Sequence, residues 1–238
     1  MSRAPTGTLY GVGVGPGDPE LMTVKAVRLL GRAAVVAYPA PEDGDSLARS
    51  IAKDHIPPGC VEIALRLPFD PARDARPAYD AGAGAIAAHL AAGRDVVCLC
   101  AGDPLLYGSF VILSERLQDR FPVKIVPGVS SLTASAAVLG QALAMREDSL
   151  VVVPATRPAA DIERLVLGAD AAAIIKLGRH VAKVARVLER LGLAERSRCV
   201  ERAGLPGERV RSLAEAVAEG MPYFSMILVH RRGGAWRA

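Results

Sequence analysis

Two hydrophobic patterns alternate along the chain. Short apolar runs that end at glycine or proline indicate buried strands, and stretches with apolar residues three or four positions apart indicate helices. A strand, a tight turn and a helix at the start of the chain are typical of an α/β sheet. The predicted strands lie at about residues 8–14, 33–38, 60–65, 95–100, 123–126, 150–153, 172–175, 199–202 and 224–229. The predicted helices lie at about 21–30, 46–54, 78–92, 105–119, 131–139, 159–167, 179–191 and 213–219.

The sequence also predicts the structure of two connecting segments. Residues 66–77 contain three prolines and little periodicity, which predicts a long loop, and long loops in compact domains tend to be functional. Residues 207–210 are expected to form a hairpin with the strand that precedes them.

The first predicted turn is rich in glycine. Glycines occupy alternate positions from Gly11 to Gly17, where the absence of a Cβ allows another backbone or a ligand to approach closely. The valines between them make these glycines part of the strand, with the turn itself at Pro16 and Gly17. Alternatively, the turn has only a structural role: Asp18 caps the helix that follows, and Pro19 occupies its first position.

The glycine spacing argues against phosphate ligands. No register of these glycines fits the dinucleotide fingerprint, and no Gly-Lys-Ser/Thr follows as in a P-loop. Asp18 and Glu20 place acidic side chains where a phosphate would lie. The turn is therefore a candidate site for a ligand without phosphate.

Similar turns follow two later strands. Gly102-Asp103-Pro104 comes after the strand at 95–100, and Pro127-Gly128-Val129-Ser130-Ser131 comes after the strand at 123–126. Ligands of open α/β sheets bind at the carboxyl ends of the strands. We therefore expect the three turns to converge on one ligand.

Length and composition set the domain organisation. The chain has 238 residues, of which 51% are hydrophobic and only 4% aromatic, which favours an α/β core of Ala, Val and Leu over a β-sandwich. Residues 140–148 lack clear periodicity and indicate a link between two halves. We expect an N-terminal α/β domain over residues 1–142 and a C-terminal α/β domain over 143–238.

Other features bear on compartment and partners. No apolar run has the length of a membrane span and no signal-peptide core precedes the first strand, so we expect a cytoplasmic protein that does not bind a membrane. Scattered cysteines and histidines favour core thiols such as Cys98 and Cys100, although a metal site built from distant positions stays open. The net charge of +4 allows an anionic ligand, but arginines interspersed with acids do not indicate nucleic-acid binding.

Four motifs together carry a family resemblance. They are residues 11–18, Gly102-Asp103-Pro104 with Tyr107, residues 127–131, and Val200-Glu201-Arg202-Ala203-Gly204-Leu205-Pro206. In this order, and over almost the whole chain, they resemble the tetrapyrrole methyltransferase family of cobalamin biosynthesis. The resemblance implies two α/β domains with a ligand trough between them, S-adenosylmethionine as the methyl donor, a small-molecule tetrapyrrole substrate and a homodimer.

The resemblance also implies site residues. The positions that would line the cofactor are Pro16, Ala101, Gly102, Asp103, Leu106, Ser130, Ser131, Leu177 and Ala203. Arginines that face the trough could clamp the ionised carboxylates of a tetrapyrrole, and Tyr107 is either a trough residue or a core residue. The substrate candidates are Arg66, Arg73, Arg76, Tyr107 and Arg202.

Several alternatives stay open. Asp103, Ser130 and Ser131 could be helix caps, and Pro16 could only shape a turn. No histidine, acid or tyrosine stands out as the catalytic base, so no catalytic residue is assigned. A Rossmann-type oxidoreductase that binds NAD(P), and a binding module without catalytic activity, are the competing functions.

Overall fold

The computed structural model describes residues 6–68 and 73–232. It divides into two compact units, Met1–Ser130 and Ser131–Ala238. The division thus comes before the helix at 131–139, whereas the boundary expected from the sequence comes after it. The roles expected of the two halves, and the trough between them, stay predictions.

The first unit is built on a parallel five-stranded sheet. Its strands β1 to β5 are Leu9–Gly13, Val35–Pro41, Val61–Leu67, Val96–Cys100 and Val123–Val126. Their order is β3-β2-β4-β1-β5, and every neighbouring pair is parallel. The helices α1 to α4 are Val24–Leu30, Leu47–Ala52, Arg76–Ala91 and Phe110–Leu117, with short 3-10 turns at Pro19–Leu21 and Lys53–His55.

Apolar residues cover both faces of this sheet. All five residues of β4 are buried, as expected for a central strand with helices on both sides. Because successive side chains point to opposite faces, Val96 and Cys98 pack into one hydrophobic cluster while Val97 and Leu99 pack into another. The prediction that Cys98 is a core thiol is confirmed.

The second unit contains a mixed five-stranded sheet. Its strands β6 to β10 are Leu150–Pro154, Ala171–Ile175, Ser197–Glu201, Arg209–Arg211 and Ser225–His230, and their order is β6-β7-β10-β8-β9. Only β6 and β7 pair in parallel; the other pairs are antiparallel. The helices α5 to α8 are Ser131–Leu139, Ala159–Leu167, Val181–Arg190 and Leu213–Glu219, with 3-10 turns at Gly178–His180 and Ala194–Arg196. The predicted hairpin is confirmed, because β9 pairs antiparallel with β8.

Helix α5 belongs to the second unit because of what it buries. Leu132 and Ala136, one helical turn apart, pack in a cluster with Met226 and Leu228 of β10. This buried face fixes α5 on the second sheet, although α5 follows β5 of the first sheet directly in the chain.

Three predicted boundaries were wrong. The expected helix at 105–119 begins only at Phe110, the first residue of α4. The expected helix at 21–30 begins only at Val24, because Thr23 caps it by accepting a hydrogen bond of 3.1 Å from the amide of Ala26. The expected loop at 66–77 is shorter, since β3 runs to Leu67 and α3 begins at Arg76, where Asp74 accepts the backbone N–H at 2.9 Å.

The described residues contain neither a membrane-spanning helix nor a cluster of metal-binding side chains. Within 6–68 and 73–232, no helix combines the length and the apolar character that a membrane span requires. In the same ranges, no three His, Cys, Asp or Glu side chains group closely enough to hold a metal ion.

Candidate functional site

The three predicted turns follow three neighbouring strands. Strand β1 lies between β4 and β5, and these are the strands that the glycine-containing turns follow. The pairing register sets Gly13 opposite Cys100 and Val12 opposite Val126, so the strands end at the same edge of the sheet. Beyond β1, the carbonyl of Gly15 accepts a 2.7 Å hydrogen bond from the amide of Gly102. The expected convergence of the turns is confirmed.

The backbones of the three turns are in direct contact. A Cβ on Gly13 would lie 2.6 Å from the carbonyl oxygen of Gly102 and 2.6 Å from Cα of Gly128. A Cβ on Gly128 would lie only 2.2 Å from that same carbonyl oxygen. Since real Cβ atoms do not approach a backbone this closely, the contact requires glycine at both positions.

The carboxylate of Asp103 ties the second turn to the third. Its Oδ1 accepts a 2.8 Å hydrogen bond from the amide of Leu105, and its Oδ2 accepts one of 3.0 Å from the amide of Gly128. The first bond closes its own turn, but it does not cap a helix, because α4 begins only at Phe110, so the helix-cap interpretation was wrong. The second bond is a tertiary contact. A carboxylate has about four acceptor sites, so Asp103 retains capacity for a ligand.

The junction, meaning the place where the three turns are in contact, is open on one side. Gly102 has a φ of 70°, and a Cβ built on it would meet nothing within 4 Å. Pro16 of the first turn is buried, whereas Ala101 of the second turn is exposed. The open side is therefore formed by the second turn.

An exposed apolar segment adjoins this turn. Leu105, Leu106 and Tyr107 expose 58%, 39% and 48% of their surfaces, which is unusual for three consecutive apolar residues. Tyr107 has a φ of 55°, and its exposure rules out the core interpretation. Leu105 was not among the predicted site residues, because the apolar pattern made it the first residue of a predicted helix, and this helix begins only at Phe110.

The remaining predicted cofactor residues lie either at the boundary between the two units or just after a strand of the second sheet. Ser130, half-buried, is the last residue of the first unit, and Ser131, exposed, is the first of α5. Leu177 follows β7 and Ala203 follows β8. Because β7 and β8 both run antiparallel to β10, these two residues lie at the same edge of the second sheet.

Leu177 and Ala203 can offer a ligand mainly their backbone. Leu177 is fully buried and Ala203 is 9% exposed. Residues in the left-handed region flank them, with φ values of 58° at Lys176 and 51° at Arg202. Such conformations cost free energy for residues other than glycine and are concentrated at ligand sites.

Three of the four predicted substrate arginines already form hydrogen bonds or ion pairs within the first unit. Arg66 donates to the carbonyls of Pro41 and Gly44, at 3.0 and 2.7 Å. Arg73 binds Glu42 through both guanidinium ends and holds the pKa of that carboxyl below its usual range. Arg76 pairs at 2.8 Å with Asp74 and similarly lowers its pKa.

Arg202 is different. Its side chain is exposed, and its guanidinium has no ion pair or hydrogen bond with any residue that the structure describes. It is therefore the predicted substrate arginine best able to bind an anion. All substrate and cofactor roles of individual residues nevertheless stay predictions.

Comparison with known proteins decides the family. The family model of the Tetrapyrrole (Corrin/Porphyrin) Methylases matches residues 8–217, which include all four glycine and acid motifs. The chain belongs to the tetrapyrrole methylases. The expected resemblance, the α/β fold and an enzyme that takes its methyl group from S-adenosylmethionine are confirmed, and the oxidoreductase and the non-catalytic module were wrong.

Individual tetrapyrrole methylases are similar over most of their length. A precorrin-2 C(20)-methyltransferase of Sinorhizobium sp is 40% identical, over 96% of this chain and 97% of its own. A cobalt-precorrin-2 C(20)-methyltransferase of Salmonella typhimurium is 33% identical, over 95% and 97%. The crystal structure of uroporphyrin-III C-methyl transferase from Thermus thermophilus, complexed with S-adenosylhomocysteine, superposes with a TM-score of 0.70 at 29% identity, covering 94% and 92% of the two chains.

The glycine contact gives a first test. Gly128→Ala should lower the free energy of unfolding by about 1–3 kcal/mol, because its Cβ would overlap the carbonyl of Gly102. Gly84→Ala is the matched control: Gly84 lies inside α3 with open space around it, so alanine should stabilise the protein by about 0.5–1 kcal/mol. Urea denaturation measures both, and a Gly128→Ala protein as stable as the unmodified one would contradict the contact.

The Asp103 bridge gives a second test. In Asp103→Asn, an amide NH₂ in place of Oδ2 cannot accept from Gly128, so the unfolding free energy should fall by about 1–3 kcal/mol. Asp18→Asn serves as the control, because among the described residues the carboxylate of Asp18 accepts only from the amide of Glu20, and asparagine preserves that cap. Equal stability changes in the two variants would show that Asp103 is only a local cap.

Proposed function

We propose that the chain transfers the methyl group of S-adenosylmethionine to C20 of precorrin-2 and so forms precorrin-3A. The observation that carries this proposal is the 40% identity, over nearly both full lengths, to a precorrin-2 C(20)-methyltransferase. Three segments also resemble that branch of the family: residues 9–19, Tyr38-Pro39 and Pro222-Tyr223-Phe224-Ser225. The proline-rich loop around Phe69 resembles it as well but lies outside the described residues.

The chemistry of the junction fits this methyl donor. S-adenosylmethionine carries a sulfonium cation, an adenine, a ribose diol and an amino-acid end, but no phosphate. The spare acceptor capacity of Asp103 suits the ribose hydroxyls or the ammonium group, and the apolar surface of Leu106 suits a ring. When bound, the donor supplies a methyl group that is already electrophilic.

The protein's main task is then positioning. Holding the acceptor carbon about 3–3.5 Å from the methyl group, with water excluded, accounts for most of the acceleration expected in such a displacement. We assign this to the nine cofactor residues predicted above and to the substrate residues Tyr107, Arg202, Arg66, Arg73 and Arg76. Of the arginines, Arg202 contributes most directly, since the other three already have local partners.

A cobalt-bound substrate is the second candidate. It is favoured by the 33% identity to a cobalt-precorrin-2 C(20)-methyltransferase. Methylation of uroporphyrinogen is less well supported, because the second turn here begins Ala101-Gly102 instead of Gly-Gly and the third has Val129-Ser130 instead of Ile-Thr.

We also propose that the enzyme is a cytoplasmic homodimer. The family resemblance supports the dimer. All four cysteines are unpaired, which fits a reducing compartment. Light scattering on the purified protein should give twice the chain mass of 24.9 kDa, and a particle of one chain mass would contradict the dimer.

Turnover tests the reaction. The purified enzyme is incubated with S-adenosylmethionine and either metal-free or cobalt-loaded precorrin-2. We expect the metal-free substrate to gain the mass of one methylene unit, with the new methyl carbon at C20 by NMR. S-adenosylhomocysteine in place of the donor is the control. Failure to methylate precorrin-2, with methylation of another tetrapyrrole, would overturn the substrate, and preference for the cobalt form would establish the second candidate.

A further inference from the structure

A charged cavity lies wholly within the second unit. Its volume is about 490 Å³, within the usual range for small-molecule sites. The charged residues that line it are Arg202, Arg209, Arg211, Glu201 and Glu219. Three guanidinium groups against two carboxylates leave the lining with a net positive charge.

The β8–β9 hairpin fixes the rear of the cavity. Glu201 lies opposite Arg209 and Cys199 lies opposite Arg211, so Glu201, Arg209 and Arg211 share one face of the hairpin. The side chains of Arg211 and Glu201 are each only 6% exposed and form an ion pair. Arg211 also donates to the carbonyl of Gly220 at 2.6 Å, while its buried Nε has no hydrogen-bond partner among the described residues. Arg211 is thus a rigid cation at the back of the site.

A carboxylate of the protein already occupies part of this cavity. One oxygen of Glu219, the last residue of α8, lies 3.0 Å from Arg209 and 2.9 Å from Arg211. The side chains of Glu219 and Arg209 are 56% and 53% exposed, and an ion pair exposed on both sides contributes little to stability because water and salt screen it. An external carboxylate can therefore exchange with Glu219.

Arg202 also lines this cavity, and its backbone is in the left-handed region, which is energetically unfavourable for a residue other than glycine. Its φ of 51° is held by a 2.8 Å hydrogen bond from its amide to Phe224 and by one of 2.7 Å that its carbonyl accepts from Leu205. Among the described residues its guanidinium has no partner. A non-glycine residue held in this region beside a cavity is typical of a binding position.

We propose that this cavity is a carboxylate-binding site. Arg202 and Arg209 contact the ligand, Arg211 is a positioning residue behind them, and Glu219 is an internal carboxylate that the ligand displaces. The ligand is a polycarboxylate, either the substrate through its own acetate and propionate groups or a free acid. The site itself is independent of the proposed function, and only the assignment of its ligand to the substrate rests on it.

Calorimetric titration with tricarballylate, a simple tricarboxylate, tests the site without methyl transfer. Arg202→Gln and Arg209→Gln should each weaken binding about tenfold, as expected for the loss of a charge-assisted hydrogen bond. Glu219→Gln should tighten binding about threefold or more, because it weakens the internal competitor. Improved binding cannot result from misfolding, so this variant keeps the test valid if another is unstable.

The control is Arg164→Gln, on the exposed face of α6, which changes the net charge equally at a residue that does not line the cavity. At constant ionic strength its affinity should stay within about twofold of the unmodified protein. The site would be overturned if the unmodified protein did not bind tricarballylate, if Arg164→Gln weakened binding as much as Arg209→Gln, or if Glu219→Gln had no effect.

Inhibition of methyl transfer by tricarballylate separates the two ligand sources. Competition with the tetrapyrrole, together with a raised KM and little change of kcat in Arg209→Gln, supports the substrate's own carboxylates. Binding without competition supports a free polycarboxylate. Loss of methyl transfer with binding retained would count against the proposed function but not against the carboxylate site.

Discussion

The candidate cofactor site depends on a steric constraint, the backbone contact between three turns. Gly13 and Gly128 both lie against the carbonyl of Gly102, and a Cβ at either of these two positions would overlap it unless the backbone shifted. The contact exists because the sheet order sets β1 between β4 and β5, which brings three strand ends to one edge. Hydrogen bonds then hold it, from Gly102 to Gly15 and from Gly128 to Asp103.

This constraint explains why an acidic residue occurs in a turn of the candidate cofactor site. A phosphate site would use free backbone amides, but here the amides of Leu105 and Gly128 are already bonded to Asp103. What the junction offers instead is acceptor oxygens, an open position at Gly102 and an exposed apolar segment. A cationic ligand with a diol and a ring matches that set, which agrees with the methyl donor of the tetrapyrrole methylases.

The sequence predicted what depends on local patterns. The spacing of the glycines predicted the turns, and the apolar periodicity predicted the helices and strands. The hairpin of β9 with β8 was also expected. The boundary of α1 was missed because the hydroxyl of Thr23 overrode the apolar pattern. Of the five charged residues that line the cavity of the second unit, the sequence predicted Arg202 alone, since the cavity requires a diagonal pairing of Glu201 with Arg211 and the approach of Glu219 from α8. For the same reason the sequence did not indicate that Arg73 pairs with Glu42, which lies 31 positions away.

A crystal structure of the protein with S-adenosylhomocysteine would show whether the three turns form the cofactor site. We expect the bound molecule to contact the turn Ala101-Gly102-Asp103, while Gly13, Gly102 and Gly128 stay in backbone contact. Density for the molecule away from these turns, or strand ends that separate in the complex, would contradict this expectation.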